Sequence, residues 1–328
     1  MSFLLRRLAF YAVAIWAAVT VNFAIPRVMP GNAVDTMLSK FPQLTSQSLN
    51  ALEAEFGTHT HSSLLSQYFS YWGQVLHFNL GVSVSEYPTK VSTIIAQTLP
   101  WTLILVGAAT VIAFVVGTLL GIAAAWRRGG WLDRALPAFT FLQATPYFFL
   151  ALVMIDLFAL RLHWLPFGQG YALGLTPGWN WTFISSAITH SILPALTIVL
   201  TSVGAWMLQM RNVMLTTIGE DYVLVGQAKG LPARRVVFGY AARNAILPNI
   251  AGFALALGFV VAGALVMEIV FSYPGIGLTL YNAVTSNDYP LLQGIFLVIS
   301  VAVLTASLIA DLVYVIADPR ARGGAAEL

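Results

Sequence analysis

The amino-acid sequence predicts an all-α integral membrane protein, and three observations carry that reading. Of 328 residues, 58% are hydrophobic and only 9% charged, with a mean hydropathy of +0.80; an ordinary soluble domain has roughly a quarter of its residues charged. The apolar residues gather into six long runs, each near the roughly 20 residues that cross a bilayer as a helix. Lysine and arginine lie between the runs and favour alternate intervals. Backbone polar groups find no water inside a bilayer, so a helix, which satisfies its own, is expected at each crossing. Cysteine is absent, which excludes disulfides, thiolate metal sites and cysteine nucleophiles. A net charge of +3 is too small against this apolar content to suggest nucleic acid as a partner.

Taken in order, Arg6 and Arg7 precede the first run, residues 8–26. A cleaved signal segment would share that basic start and apolar core, but the run is long for one and further spans follow. Residues 30–97 form the largest polar region, which is expected outside the membrane. Within it, residues 48–56 and 64–78 read as short amphipathic helices and Asn79-Leu80-Gly81 as a turn. The second run, 98–126, is uncharged. The third, 135–160, contains Thr145-Pro146, where a lost backbone bond should kink the helix, and Asp156 near its far end. An aromatic, glycine-rich outer loop is expected over 161–190, with Trp164, Tyr171, Trp179 and Trp181 suited to the membrane–water interface. The fourth run is 191–210, the fifth 249–271 and the sixth 291–316.

Between the fourth and fifth runs lies a polar interval with helix punctuation. Thr217 and Glu220 have the spacing of a capping box, Glu220 and Asp221 put negative charge at a helix start, and Lys229 with Gly230 supplies a basic last turn and a left-handed stop. Pro232 suits the first turn of a second helix, in which Val236, Tyr240 and Leu247 share a side and Arg234, Arg235 and Arg243 are basic, until Pro248 ends the pattern. Basic flanks are retained in the cytoplasm. With both termini inside, the inner intervals hold twelve lysines and arginines, Arg6, Arg7, Arg127, Arg128, Arg134, Arg211, Lys229, Arg234, Arg235, Arg243, Arg320 and Arg322. Only four, Arg27, Lys40, Lys90 and Arg161, fall outside. The helical hairpin is therefore expected in the cytoplasm.

This hairpin resembles the EAA loop of binding-protein-dependent ABC importer permeases, specifically the peptide/nickel family and its dipeptide/oligopeptide B-type subunits. The matching residues are Asp221-Tyr222-Val223, Ala228-Lys229-Gly230-Leu231 and Arg243-Asn244-Ala245-Ile246-Leu247-Pro248. The likeness continues through Trp131-Leu132-Asp133-Arg134, Ile192-Leu193-Pro194, Glu268-Ile269-Val270-Phe271-Ser272-Tyr273-Pro274-Gly275 and Asp288-Tyr289-Pro290. In one place the chain departs: where the name-giving triplet would fall it has Leu224-Val225-Gly226, leaving Glu220 and Asp221 as the nearby carboxylates.

The resemblance implies a type I ABC importer permease fold. The chain divides into a tip and first span (1–29), an extracytoplasmic region (30–97), a five-helix core (98–318) with its coupling loop (211–248), and a tail (319–328). It implies a multi-pass protein of a bacterial or archaeal inner membrane that lies in lipid beside a second, homologous permease. It implies two ATPase subunits, which hold ATP and magnesium that this chain does not, and an extracytoplasmic substrate-binding protein. Glu220, Asp221, Tyr222, Leu224, Val225, Ala228, Lys229, Gly230 and Leu231 are then the residues that meet the ATPase. Leu224, Val225 and Leu231 are unusual on a cytosolic loop and fit a helix-in-groove contact, although packing beneath the membrane would also account for them. Glu268, Phe271, Tyr273, Pro274 and Gly275 are candidates for an outer gate, with a structural bond as the plain alternative for Glu268. Asp156 and Asp311, near span ends, are expected to be solvated or paired.

Several classes of function find no support. There is no G-x-x-x-x-G-K-[ST] phosphate loop and no catalytic set, so ATP chemistry belongs to another chain. His59 and His61 sit one residue apart without further ligands, which gives a metal site no support. A secondary transporter would need mid-membrane acids and usually an internal repeat, and neither is evident. For the substrate, the resemblance implies peptides first; cellobiose-type oligosaccharides, which the aromatic outer residues are compatible with stacking, come second and nickel third.

Overall fold

The computed structural model describes the backbone of residues 2–28 and 63–317; the side chains of residues 2–6, 8, 26 and 311–317 stand outside that description. The expected helix 48–56, His59, His61, the tail and the side chain of Asp311 therefore lie outside the described residues. The described chain is helical almost throughout. It folds as two compact units, one of Met1–Thr102, Val261–Leu265 and Pro274–Thr305, the other of Leu103–Val260, Val266–Tyr273 and Ala306–Leu328.

The first unit begins with α1 (Ser2–Val28), followed by α2 (Leu64–Leu76), which Ser63 caps by accepting from the Ser66 N–H at 3.3 Å. Asn22, buried on α1, donates to the Tyr71 hydroxyl at 2.9 Å and to the Gln293 carbonyl at 2.8 Å. Burial pushes the Tyr71 hydroxyl pKa up to about 12, so it stays protonated and neutral. As expected, the chain turns at Gly81, which takes φ +79°, a value glycine adopts without strain. Val91, Ile94 and Ile95, at the start of α3 (Val91–Trp126), pack with Ile276, Ala283, Leu291, Leu292 and Ile295 as the core of this unit. α12 (Ile276–Thr285) lies between the fifth and sixth expected runs, and α13 (Tyr289–Ala317) follows.

In the second unit, helix contact is made through glycine. A Cβ at Gly117 would lie 2.6 Å from the Trp206 Cβ, and one at Gly121 would lie 2.6 Å from the Met207 carbonyl oxygen. The backbone of α3 therefore rests directly on α6 (Trp181–Ile218), as small residues spaced by four permit between helices in lipid. Gly204 brings α4 (Trp131–Ala144) equally close, since its Cβ would stand 2.7 Å from the Phe139 carbonyl oxygen. Ile112, Val115, Val116 and Leu119 of α3 remain exposed, as a lipid-facing side requires.

Several expected boundaries are corrected. The kink at Thr145-Pro146 is a full break: α4 and α5 (Tyr147–Met154), which runs on as π-helix Ile155–Arg161, meet at 97°. Thr145 is extended (ψ 128°) because the following proline disfavours the helical conformation there. The five-residue repeat of the π turn brings Asp156 and Arg161 together at 2.8 Å, so this acid is paired and exposed. α6 begins ten residues before the expected run, at Trp181, because Asn180 caps it by accepting from the Phe183 N–H at 2.8 Å. Polar residues at its start do not break it, since hydroxyls such as Ser191 donate back to helix carbonyls, here Ala187 O at 2.7 Å. α6 also runs on to Ile218, and this overturns the capping box: Thr217 sits in its last turn and donates to Val213 O at 2.8 Å, so Glu220 is the N-cap of the next helix. The fifth run is not one helix, being split into α10 (Leu247–Phe259), a 3-10 turn Val260–Ala262, and α11 (Leu265–Val270) after Gly263 at φ +75°.

Among the described residues, three helices are long and apolar enough to cross a membrane, and counting each bent helix pair as one span gives five. The first expected crossing, residues 8–26, lies within α1 (Ser2–Val28), whose described apolar stretch is Ala9–Ile25.

Candidate coupling surface

The polar interval folds as a short helix, α7 (Asp221–Ala228), then Gly230 at φ +71°, then a second helical stretch. That stretch is α8 (Ala233–Val236), a π turn Val237–Ala241 and α9 (Ala242–Ala245). The Gly230 stop is as the sequence indicated; Pro232 precedes the second helix as its N-cap instead of opening its first turn. Pro248 does not end the pattern. It sits in the first turn of α10, where its missing N–H costs no bond, and the two stretches meet at 54°. The π turn adds to the helical repeat, so Val236 is buried and Tyr240 half-buried while Leu247 turns outward.

α7 has two different sides. Val223 is fully buried and joins a core with Ile122 and Ala125 of α3, Met210 and Met214 of α6, and Val236, Val237, Ala241, Ala242 and Ala245. Gly226 lets the Tyr240 ring approach to 3.6 Å of where a Cβ would stand. On the other side Tyr222, Leu224 and Val225 are 38%, 47% and 51% exposed. Glu220, Asp221, Ala228, Lys229 and Gly230 are exposed around them, and Leu231 is partly buried against the core. Of the residues expected at the ATPase, all but Leu231 thus lie open on one short helix and its ends. Val223 and Gly226, which hold that helix down, are absent from the sequence-based set, although their i, i+3 spacing is the signal of an inward face. Beside the hairpin, Arg211 donates to Asp133 at 2.6 Å and Asp133 accepts the Gly129 N–H at 2.8 Å, tying α6 to the start of α4.

The residues expected at an outer gate are largely buried. Glu268 is 0% exposed within α11, Phe271 and Tyr273 are buried, and the Tyr273 hydroxyl meets Ser191 at 3.0 Å. The Phe271 carbonyl accepts the Gln169 N–H at 2.7 Å, and Gly168 is needed there because a Cβ would lie 2.6 Å from the same oxygen. Pro274 is half-buried and Gly275 caps α12. A buried carboxylate that enters the sequence reading only as part of a likeness is Asp288. It accepts from the Ser83 hydroxyl, from the Ser85 N–H at 2.8 Å and hydroxyl at 2.6 Å, and from the Leu291 N–H at 3.1 Å. Among the described residues, no three histidines or carboxylates are placed to hold a metal.

α7 is thus pinned to two long apolar helices by one face and offers apolar side chains on the other. Residues 117–323 match the family described as binding-protein-dependent transport system inner membrane component. The chain belongs to that family. This permease is 35% identical over 299 residues to a putative peptide permease protein of Brucella suis, covering 91% of this chain and 92% of the relative. It is 31% identical to a di/tripeptide transport system permease protein of Pseudomonas aeruginosa, over 98% and 99% of the two chains. It is 28% identical to an oligopeptide transport system permease protein of Bacillus subtilis, over 97% and 98%. The permease is thus a multi-pass inner-membrane component of an ABC import system, which works with an ATPase and a binding protein, and ATP is hydrolysed by separate subunits.

Proposed function

We propose that the permease forms half of a translocation pathway for di- and oligopeptides, with a second, homologous permease as the other half. An extracytoplasmic binding protein delivers the peptide, and two ATPase subunits carry the ATP and magnesium. The observation that carries this reading is the open apolar side of α7, with Tyr222, Leu224 and Val225 between the charged Asp221 and Lys229. That is the pattern of a helix seated in a partner's groove. When nucleotide draws the ATPases together, α7 moves with them, and the ends of α3 and α6 follow because Val223 is packed among their side chains. Glu268, Phe271, Tyr273, Pro274 and Gly275 serve as the outer gate in this reading. Both termini face the cytoplasm, on the strength of twelve basic residues against four.

Peptide is preferred over the alternatives because the three relatives above are named for peptides; no observation adds weight to oligosaccharide or nickel. Reconstitution of the permease with its partner subunits and binding protein in proteoliposomes tests this. ATP-dependent uptake of a labelled tripeptide is expected, with no uptake of cellobiose. Uptake of cellobiose in its place would reject the substrate, and uptake driven by an ion gradient without ATP would reject the class.

A further inference from the structure

Apart from the coupling surface, the same unit contains a cavity of about 320 Å³, at the lower end of the roughly 300–1,000 Å³ of small-molecule sites. Leu119 and Trp126 of α3 and Val237 and Phe238 of the π turn line it, and Arg127 and Arg234 lie along the same walls. No carboxylate lines it. Asp133 nearby is already bound to Arg211 and the Gly129 N–H. Among the described residues, neither Arg127 nor Arg234 takes part in an ion pair. An apolar hollow with two unneutralised guanidiniums, and the exposed Trp131 lining it as well, has one matching occupant at a membrane surface. We propose that this cavity holds an anionic phospholipid, its phosphate on Arg127 and Arg234 and the upper part of an acyl chain against Leu119, Trp126 and Phe238. Guanidinium forks suit a phosphate better than the zwitterion of a neutral lipid, whose ammonium they repel. The location at the cytoplasmic leaflet rests on the orientation proposed above.

The test is native mass spectrometry of the assembled transporter released from nanodiscs of mixed phosphatidylcholine and phosphatidylglycerol. Phosphatidylglycerol should be retained in excess on the wild type. The excess should fall by about fivefold in each of Arg127→Gln and Arg234→Gln, and further in the double variant. Arg161→Gln, whose arginine is paired with Asp156, should leave it unchanged. No excess, or an excess that the double variant keeps, overturns the proposal. So does a photo-crosslinker at Phe238 that captures a partner subunit and no lipid. Orientation is read separately: the chain lacks cysteine, so Arg128→Cys can be labelled with an impermeant thiol reagent from one side only. Labelling from outside rejects the topology while the lipid count stands on its own.

Discussion

Gly117 and Gly121 set how closely α3 and α6 approach, because each would place a Cβ within 2.6 Å of the facing helix. Gly117→Leu or Gly121→Leu must push the helices apart, and overpacking of this kind costs about 1–3 kcal/mol or more. A lower thermal midpoint of the detergent-solubilised permease is expected for both, whereas Gly73→Ala on α2, with nothing within 4 Å, should lower nothing. Asp288 is the second position of this kind. Asp288→Ala takes the acceptor from the Ser85 and Leu291 N–H groups and leaves the Ser83 and Ser85 hydroxyls only each other, at about 1–3 kcal/mol for a buried group left unpaired. Asp288→Asn keeps one acceptor oxygen and should lose less, as the same melting experiment would register. Neither role was legible in the sequence. Asp288 meets Ser83 and Ser85 from some two hundred positions away, and a glycine in an apolar run does not disclose which helix lies over it.

At the scale of elements, the features set by one or two neighbouring residues are the legible ones. Gly230 stops α7 because only its left-handed backbone was at issue, and Asn79-Leu80-Gly81 turns for the same reason. Elements whose limits depend on distant neighbours are not. The Thr217-to-Glu220 spacing fits a helix start, yet α6 is held helical through Ile218, with Met210, Met214 and Thr217 buried along it. Pro248 reads as a stop but opens α10, since proline suits a first helical turn as well as an end. The π turn at Val237–Ala241 has no composition signal and changes which residues face inward. For α7 the two sides predict opposite behaviours. Val223→Asp puts an unpaired charge into a closed core and should abolish folding, seen as loss of membrane-inserted protein. Gly230→Ala should cost about 1–2 kcal/mol through its positive φ, with no steric term because nothing lies within 4 Å, and should lower the melting temperature by a few degrees.

For the whole molecule, composition was enough to establish a helical membrane protein, and the order of short likenesses along the chain was enough to indicate the family. The number of crossings was harder to read, because hydropathy alone does not separate a straight span from two helices meeting at 97° or 54°. On the proposed function, what the permease does as a whole depends on force arriving at α7. Leu224→Asp with Val225→Asp alters only exposed positions, so the permease should insert and melt as the wild type does. The direct measurement is the amount of ATPase that copurifies per permease when all subunits are coexpressed. Docking through α7 predicts a fall of roughly tenfold or more for this double variant, the scale expected from two central contact residues. An unchanged amount of bound ATPase on a normally folded double variant would contradict it.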